Sequence, residues 1–142
     1  AKQIAMECGV PVIPGCSAPL RDGQEALEKA ISFGFPVILK AAAGGGGRGM
    51  RLCEMPEDVI PAFELVKSEA RKAFGNDDIF IEKYLVQPKH IEVQILADQY
   101  GNVRHLGERD CSLQRRYQKV VEFAPAWSVP ESIREQLPVS AT

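Results

Sequence analysis

Apolar positions follow two rhythms along the 142-residue chain, and the rhythm changes near residue 84. In the first part, helical and strand spacings alternate. Residues 1–9 read as the end of a helix stopped by Gly9 and Pro11. The short apolar run Val10 to Ile13, before Pro14-Gly15, predicts a strand. Asp22 opens a helix with Glu25 as its capping-box partner. Ala26, Leu27, Ala30 and Ile31 fall on one face of it, and Gly34 and Pro36 close it. Pro36 to Lys40 predicts a strand, and Met50 to Cys53, beyond a glycine loop, predicts a returning one. Residues 56–74 carry the longest helical pattern, and Pro61 inside it predicts a kink or a later start. Gly75 to Asp78 is turn chemistry, and Ile79 to Lys83 is strand-like.

Beyond Gln87-Pro88 polar and apolar residues alternate. His90 to Leu96, a turn at Asp98 to Asn102, and Val103 to Glu108 predict an antiparallel hairpin with one polar face. Lys119 to Phe123 predicts another strand, and a helix begins near Pro130-Glu131. The expected class is α/β (α+β). Residues 1–11 are expected to end a preceding domain or linker, 12–84 to form a small α/β lobe, and 85–142 to begin a strand-rich domain.

Composition narrows the function classes. Hydrophobic residues make up 45% and charged residues 25%, which excludes wholesale disorder. With 17 basic and 19 acidic residues the net charge is −2, which argues against a nucleic-acid or membrane-surface binder. No apolar run approaches the ~18 residues of a membrane span, and the N-terminus has no apolar stretch of the signal-peptide kind. The lack of an initiator Met predicts a piece of a longer protein. Cys8, Cys16, Cys53 and Cys111 form no C-x-x-C pair, and His90 and His105 are the only histidines. No metal site is expected, and the cysteines read as reduced thiols of a cytoplasmic protein. Cys111 has no neighbouring histidine to activate it and reads as structural.

The segment from Lys40 through Gly44, Gly45, Gly46, Gly47, Arg48 and Gly49 to Met50 is the sharpest feature. A glycine run lets backbone N–H groups converge on an anion, and Lys40 and Arg48 add charge. Gly44, Gly46 and Gly49 satisfy G-x-G-x-x-G, but a strand-like segment follows where the dinucleotide fold needs a helix. The Gly-Lys-Ser/Thr of a P-loop is absent. A kinase loop carries its lysine on the following strand, not the preceding one. A strand–glycine flap–strand hairpin over a triphosphate remains, against an ordinary mobile hairpin.

Three other segments carry candidate chemistry, each with a bland alternative. Glu82-Lys83-Tyr84-Leu85 joins the two halves and could present backbone groups to an adenine edge, or be a solvated strand end. His90, Glu92 and Gln94 share a strand face that could line a site, or be the wet side of a sheet. The block Glu108 to Lys119 is dense in fixed donors and suits a planar oxyanion, or is a solvated charged loop.

These segments, with Pro88 to Gln94 and Glu108 to Glu122, resemble the biotin carboxylase family of ATP-grasp enzymes in order and with compatible spacing. The family occurs as the biotin carboxylase subunit of acetyl-CoA carboxylase and as the first domain of pyruvate and propionyl-CoA carboxylases. The resemblance implies an ATP-grasp fragment, a lid lobe plus the first antiparallel strands of the central domain. It implies a ligase that forms carboxyphosphate from ATP and bicarbonate and carboxylates biotin on a carrier protein. Lys40 then contacts the ATP phosphates, and Gly44, Gly45, Gly46 and Gly47 belong to the flap over the triphosphate. Met50 packs near the base, and Glu82, Lys83, Tyr84 and Leu85 form the adenine hinge. His90 and Gln114 approach ribose and phosphates, and Lys119 is the catalytic candidate beside bicarbonate and the γ-phosphate.

Two departures qualify what the resemblance implies. Tyr117 stands where the family commonly has histidine, and a phenol cannot be cationic. The family's Mg2+-binding carboxylates, its bicarbonate- and biotin-handling arginine and glutamate, and a further ATP-facing lysine have no counterpart in the chain. The fragment is therefore expected to be inactive alone. The implied partners are ATP, bicarbonate, a biotin carrier domain and a carboxyltransferase, in a homo-oligomeric parent of the cytoplasm or mitochondrial matrix. No nucleic acid and no membrane are implied. The alternatives are a non-catalytic nucleotide-binding or structural module, or another ATP-grasp carboxylate ligase; the Glu108 to Glu122 block argues against the latter. An unpaired sheet edge in the truncated domain predicts self-association.

Overall fold

The computed structural model describes residues 2–44, 49–116 and 118–141. They fall into two compact units, Ala1–Val86 and Gln87–Thr142.

The first unit contains α1 (Lys2–Glu7), α2 (Gly23–Phe33), β1 (Val37–Ala41), β2 (Met50–Cys53), α3 (Pro56–Phe74) and β3 (Ile79–Lys83). Its strands form an antiparallel sheet in the order β2-β1-β3. Strand alternation sorts the side chains. Val37, Leu39, Ala41, Ile79 and Ile81 point to one face and are buried against α2 and α3. Ile38, Lys40, Phe80 and Glu82 occupy the other face and are half-buried. Ala26 and Ala30 of α2 and Val59, Phe63, Val66 and Ala70 of α3 complete the core. Each large side chain so buried contributes roughly 1.5–3 kcal/mol.

Local chemistry sets the helix ends. The Asp22 carboxylate accepts from the Glu25 N–H at 2.8 Å, while Glu25 reaches back to the Arg21 N–H at 2.9 Å, one residue earlier than a standard capping box. The Asp58 carboxylate caps α3, accepting from the N–H groups of Glu54 and Met55. Gly34 and Gly75 close α2 and α3.

Three expectations differ from what is observed here. Val10 to Ile13 is not a strand; the chain just after it meets β3 at an isolated bridge, Gly15 to Glu82, with backbone bonds from Lys83 to Pro14 and from Cys16 to Ile81. Pro11 and Pro14 lack the N–H groups that a longer ladder would use. Pro61 does not delay α3, which starts at Pro56. It removes only the bond to the carbonyl of Glu57, an exposed residue that water can satisfy. Ile31 is 61% exposed, because Ala26 and Ala30 take the contact face and Ile31 lies one step around the helix.

The second unit contains β4 (Ile91–Ala97), β5 (Val103–Arg115), β6 (Gln118–Phe123), α4 (Glu131–Arg134) and α5 (Gln136–Ala141). Its antiparallel sheet runs β4-β5-β6. The Asp98 carboxylate accepts from the N–H groups of Tyr100 and Asn102 and closes the hairpin turn. β5 extends through Arg115, so most of the Glu108 to Lys119 block is strand rather than loop. Among the described residues of this unit only Glu108, Cys111 and Ala126 are buried. No described helix is long and apolar enough to cross a membrane.

Candidate functional site

The exposed face of the first sheet forms the floor of a cleft of about 520 Å³, lined by residues that include Lys2, Met6, Gly15, Lys40, Gly44, Phe80 and Glu82. The register places Lys40 opposite Phe80 and Ile38 opposite Glu82, so Lys40 and Glu82 are diagonal neighbours across β1 and β3. Glu82 Oε2 accepts from Lys40 Nζ at 2.5 Å, and Oε1 accepts from Lys2 Nζ at 3.2 Å. Burial pushes the Glu82 carboxyl up, but the hydrogen bonds and charges of Lys40 and Lys2 together outweigh it and hold the group below the usual carboxylate range.

The glycine hairpin leaves the sheet beside this cleft. The Gly49 carbonyl accepts from the Ala41 N–H at 2.8 Å and the Ala41 carbonyl from the Gly44 N–H at 3.0 Å. Gly49 has φ +69°, and a Cβ there would sit 3.0 Å from the Ala41 Cβ. Both facts favour glycine. Met50 is the Cα partner of Lys40 and shares its face of the sheet.

At the end of β3 the hinge residues divide their labour. Lys83 turns its ammonium to the carbonyls of Gly34 and Phe35, at 3.0 and 2.7 Å, and so anchors the end of α2. The backbone N–H groups of Lys83 and Tyr84 donate to the carbonyls of Pro14 and Pro36. The Leu85 N–H has no backbone acceptor among the described residues, and its side chain is exposed.

In the second unit a charged cluster sits on β4-β5-β6. Glu92 accepts from Arg109 on one oxygen and from Lys119 on the other, and Arg109 also donates to Glu122. The Gln114 amide donates to the Cys111 carbonyl at 2.9 Å and lies 2.8 Å from His90 Nδ1. The other ring nitrogen, Nε2, lies 3.5 Å from Glu92 Oε2. The hydrogen bond to Glu92 raises the Lys119 ammonium above its ordinary value, so Lys119 is a cation and donor here rather than a base. Burial first, then the hydrogen bond to Glu92 and the charges of Glu92 and Glu122, raise the Cys111 thiol, which stays protonated.

The donor atoms of Glu92, Cys111 and Glu122 lie within 4.8 Å of one another. The set does not fit Mg2+, which prefers hard oxygen donors, because one ligand is a thiol and both carboxylates are already ion-paired.

The structure thus brings Lys40, Gly44 and Glu82 to one cleft and His90, Gln114 and Lys119 to one cluster, each within its own unit. Gly45, Gly46, Gly47, Arg48 and Tyr117 lie outside the described residues. Sequence reasoning missed Lys2 and Phe80 as cleft residues. Phe80 was available from the alternation of β3, since it shares a face with Glu82. Nothing local marks Lys2. The linking role of Glu92, between Arg109 and Lys119, was equally hidden.

Comparison with known proteins places this geometry. The family described as "Carbamoyl-phosphate synthase L chain, ATP binding domain" matches residues 1–142. A pyruvate carboxylase of Pichia angusta is 54% identical over 137 residues, covering 96% of this chain and 12% of that protein. The mitochondrial pyruvate carboxylase of Mus musculus is 53% identical over the same length. The chain therefore spans about an eighth of the curated relatives it matches. A crystal structure of a biotin carboxylase–βγ-ATP complex from Campylobacter jejuni superposes with a TM-score of 0.89 at 50% identity, covering 99% of this chain and 31% of that one. The biotin carboxylase domain of Hydrogenobacter thermophilus 2-oxoglutarate carboxylase, solved with MgADP, ADP and bicarbonate, gives 0.87 at 49% identity, with the same 99% and 31% coverage. The chain belongs to the carbamoyl-phosphate synthase L chain ATP-binding domain family, and over nearly its whole length it is similar to biotin carboxylases.

Proposed function

We propose that this chain forms part of the ATP-binding region of a biotin-dependent carboxylase. The whole enzyme would use ATP and bicarbonate to carboxylate biotin on a carrier domain, working with a carboxyltransferase in a homo-oligomer of the cytoplasm or mitochondrial matrix. The identity to pyruvate carboxylases favours a parent of that kind.

The observation that carries the reading is the cleft in which Lys40 stands at the root of a strand–glycine–strand hairpin. Lys40 would supply a point charge to the phosphates, and the glycine flap would supply backbone N–H groups. Residues 82–85 would read adenine through backbone groups, with the Leu85 N–H as the donor still available. His90 and Gln114, hydrogen-bonded to each other, would face ribose and phosphate oxygens. Lys119, kept cationic by Glu92, would stabilise negative charge on bicarbonate and the γ-phosphate. Magnesium, bound by residues outside this set, would supply charge neutralisation of the phosphates. The extended domain boundaries, with a lid lobe over 12–84, belong to the same proposal.

Calorimetric titration of the chain with MgATP tests it. Saturable binding is expected, and Lys40→Ala should weaken it about tenfold or abolish it, the loss of one charge-assisted hydrogen bond. A folded chain that binds no ATP, or an unaltered affinity in Lys40→Ala, would contradict the reading.

A further inference from the structure

α3 ends in a side chain that the core does not use. The helix enters the core at Val59, Phe63, Val66 and Ala70, whereas Phe74, its last residue, is 39% exposed. A single exposed ring is ordinary on a protein surface. What marks this one is its neighbour. Phe74 Cε2 lies 3.6 Å from where a Cβ on Gly49 would stand. Gly49 belongs to the arm by which the glycine hairpin returns to β2.

The other arm is held from the same corner of the fold. The Ala42 N–H, one residue beyond β1, donates to the Asp78 carbonyl at 2.8 Å. Residues 74–78 thus reach both arms, with the ring at Gly49 and the carbonyl at Ala42. The corner is itself braced. Gly75 takes the left-handed conformation, and its N–H donates to the Arg71 carbonyl at 3.1 Å. The Arg71 guanidinium pairs with Asp77, and the Asn76 side-chain oxygen accepts from the Asp78 N–H at 2.7 Å.

The side of the sheet matters. A Cβ on Gly49 would also stand 3.0 Å from the Ala41 Cβ. Ala41 is buried on the face that packs against the helices, and Lys40 alternates to the other face. Phe74 therefore supports the hairpin from behind, on the side of the sheet away from the cleft.

We propose that Phe74 is a positioning residue for nucleotide binding, its ring propping the Gly49 arm so that the glycine hairpin leaves the sheet at the angle that serves a phosphate chain beside Lys40. The inference rests on the reading of that cleft as a nucleotide site. The argument is one of leverage. The β1–β2 register ends at Lys40 and Met50, and the two arms part immediately beyond. A small tilt at that root is magnified with distance along the hairpin. With one arm tied at Ala42 and the other propped at Gly49, the tilt is set before a ligand arrives, and less ordering remains to be done on binding.

Phe74→Ala removes the prop without touching the cleft. Calorimetry with MgATP and with AMP gives the readout, because AMP lacks the phosphates that the hairpin would serve. Affinity for ATP should fall about tenfold in Phe74→Ala while that for AMP changes by less than about twofold. Phe74→Tyr, which keeps the ring, should retain the wild-type ATP affinity. Phe74→Leu, a milder truncation that guards against misfolding, should lose about threefold. Leu65→Ala is the control: that side chain is 47% exposed on the same helix but lines a different groove, with Leu52 and Pro61, and its loss should leave ATP affinity unchanged. Undiminished ATP affinity in Phe74→Ala, an equal loss for AMP, or an equal loss in Leu65→Ala overturns the proposal. Amide exchange in the ligand-free chain separates it from the nucleotide reading. Exchange at Ala42 and Gly44 should quicken about tenfold in Phe74→Ala, with Leu39 unaffected. A wild-type chain that binds no ATP would sink the nucleotide reading. The quickened exchange would then leave the propping of the hairpin standing, and unchanged exchange would overturn that as well.

Discussion

The two units place their polar groups by opposite means. In Ala1–Val86 a closed apolar layer of β1, β3, α2 and α3 fixes the strands, and Lys40 and Glu82 are carried into place on the far face of the same sheet. In Gln87–Thr142 three buried residues are all that the described chain supplies as interior, and one of them is Glu108. There the side chains are held mainly by one another: Arg109 and Lys119 by Glu92, Gln114 by the Cys111 carbonyl, Arg134 by Glu108. Packing is insensitive to pH, whereas a carboxylate network is not. The same family of chemistry is therefore mounted on two supports that fail under different stresses.

The largest expected effect separates them by packing. Phe63 is fully buried at the centre of the first core. Phe63→Ala should lower the stability of that unit by about 3–5 kcal/mol in denaturant unfolding. Amide protection in β4 and β5 should fall far less than in β1 and β3. An equal loss in both would show that the units unfold as one.

Acid should sharpen the contrast from the other side. In the second unit the Glu92, Asp98, Glu108 and Asp110 carboxyls all lie below their ordinary values, Asp110 at about 2 through its bonds to Ser112 and Ser128. A lowered folded-state value means stabilisation that is complete above the ordinary carboxylate range and is lost as pH falls through the folded-state values. Hydrogen exchange on acidification from pH 5 should therefore expose β4 to β6 before β1 to β3. Loss of the first unit's protection at higher pH would break the comparison.

The smallest expected effect lies on the first unit's own surface. Ile31 belongs to the predicted apolar face of α2 yet is mostly exposed, so Ile31→Ser should change stability by no more than about 0.5 kcal/mol. A larger loss would mean that something covers that face in solution.

How much of this was legible in the sequence follows from how local each determinant is. The strand–glycine–strand hairpin is written in the consecutive residues from Val37 to Cys53, and the Asp22 cap and the Asp98 turn are equally local. The Glu82–Lys40 contact depends on register between strands separated by α3, and no local pattern reports it. Lys2 lies further away still, brought to Glu82 by the path of the segment through Gly15. Val10 to Ile13 has the composition of a strand, but its flanking prolines lack the donors a ladder uses. The length of β5 was concealed because its two buried positions, Glu108 and Cys111, are three residues apart rather than two and include no Val or Ile, so the usual alternation of apolar and polar residues is blurred.

Arg109 carries a mechanical consequence. From the middle strand it grips Glu92 on β4 with one nitrogen and Glu122 on β6 with another. A single guanidinium thus rivets all three strands at one level. Sliding β5 by one residue would swing Arg109 to the opposite side of the sheet and release both neighbours at once. Pulled along its strands, this sheet should resist shear at that rivet first and then yield abruptly, since among the described residues of this unit few buried apolar side chains share the load.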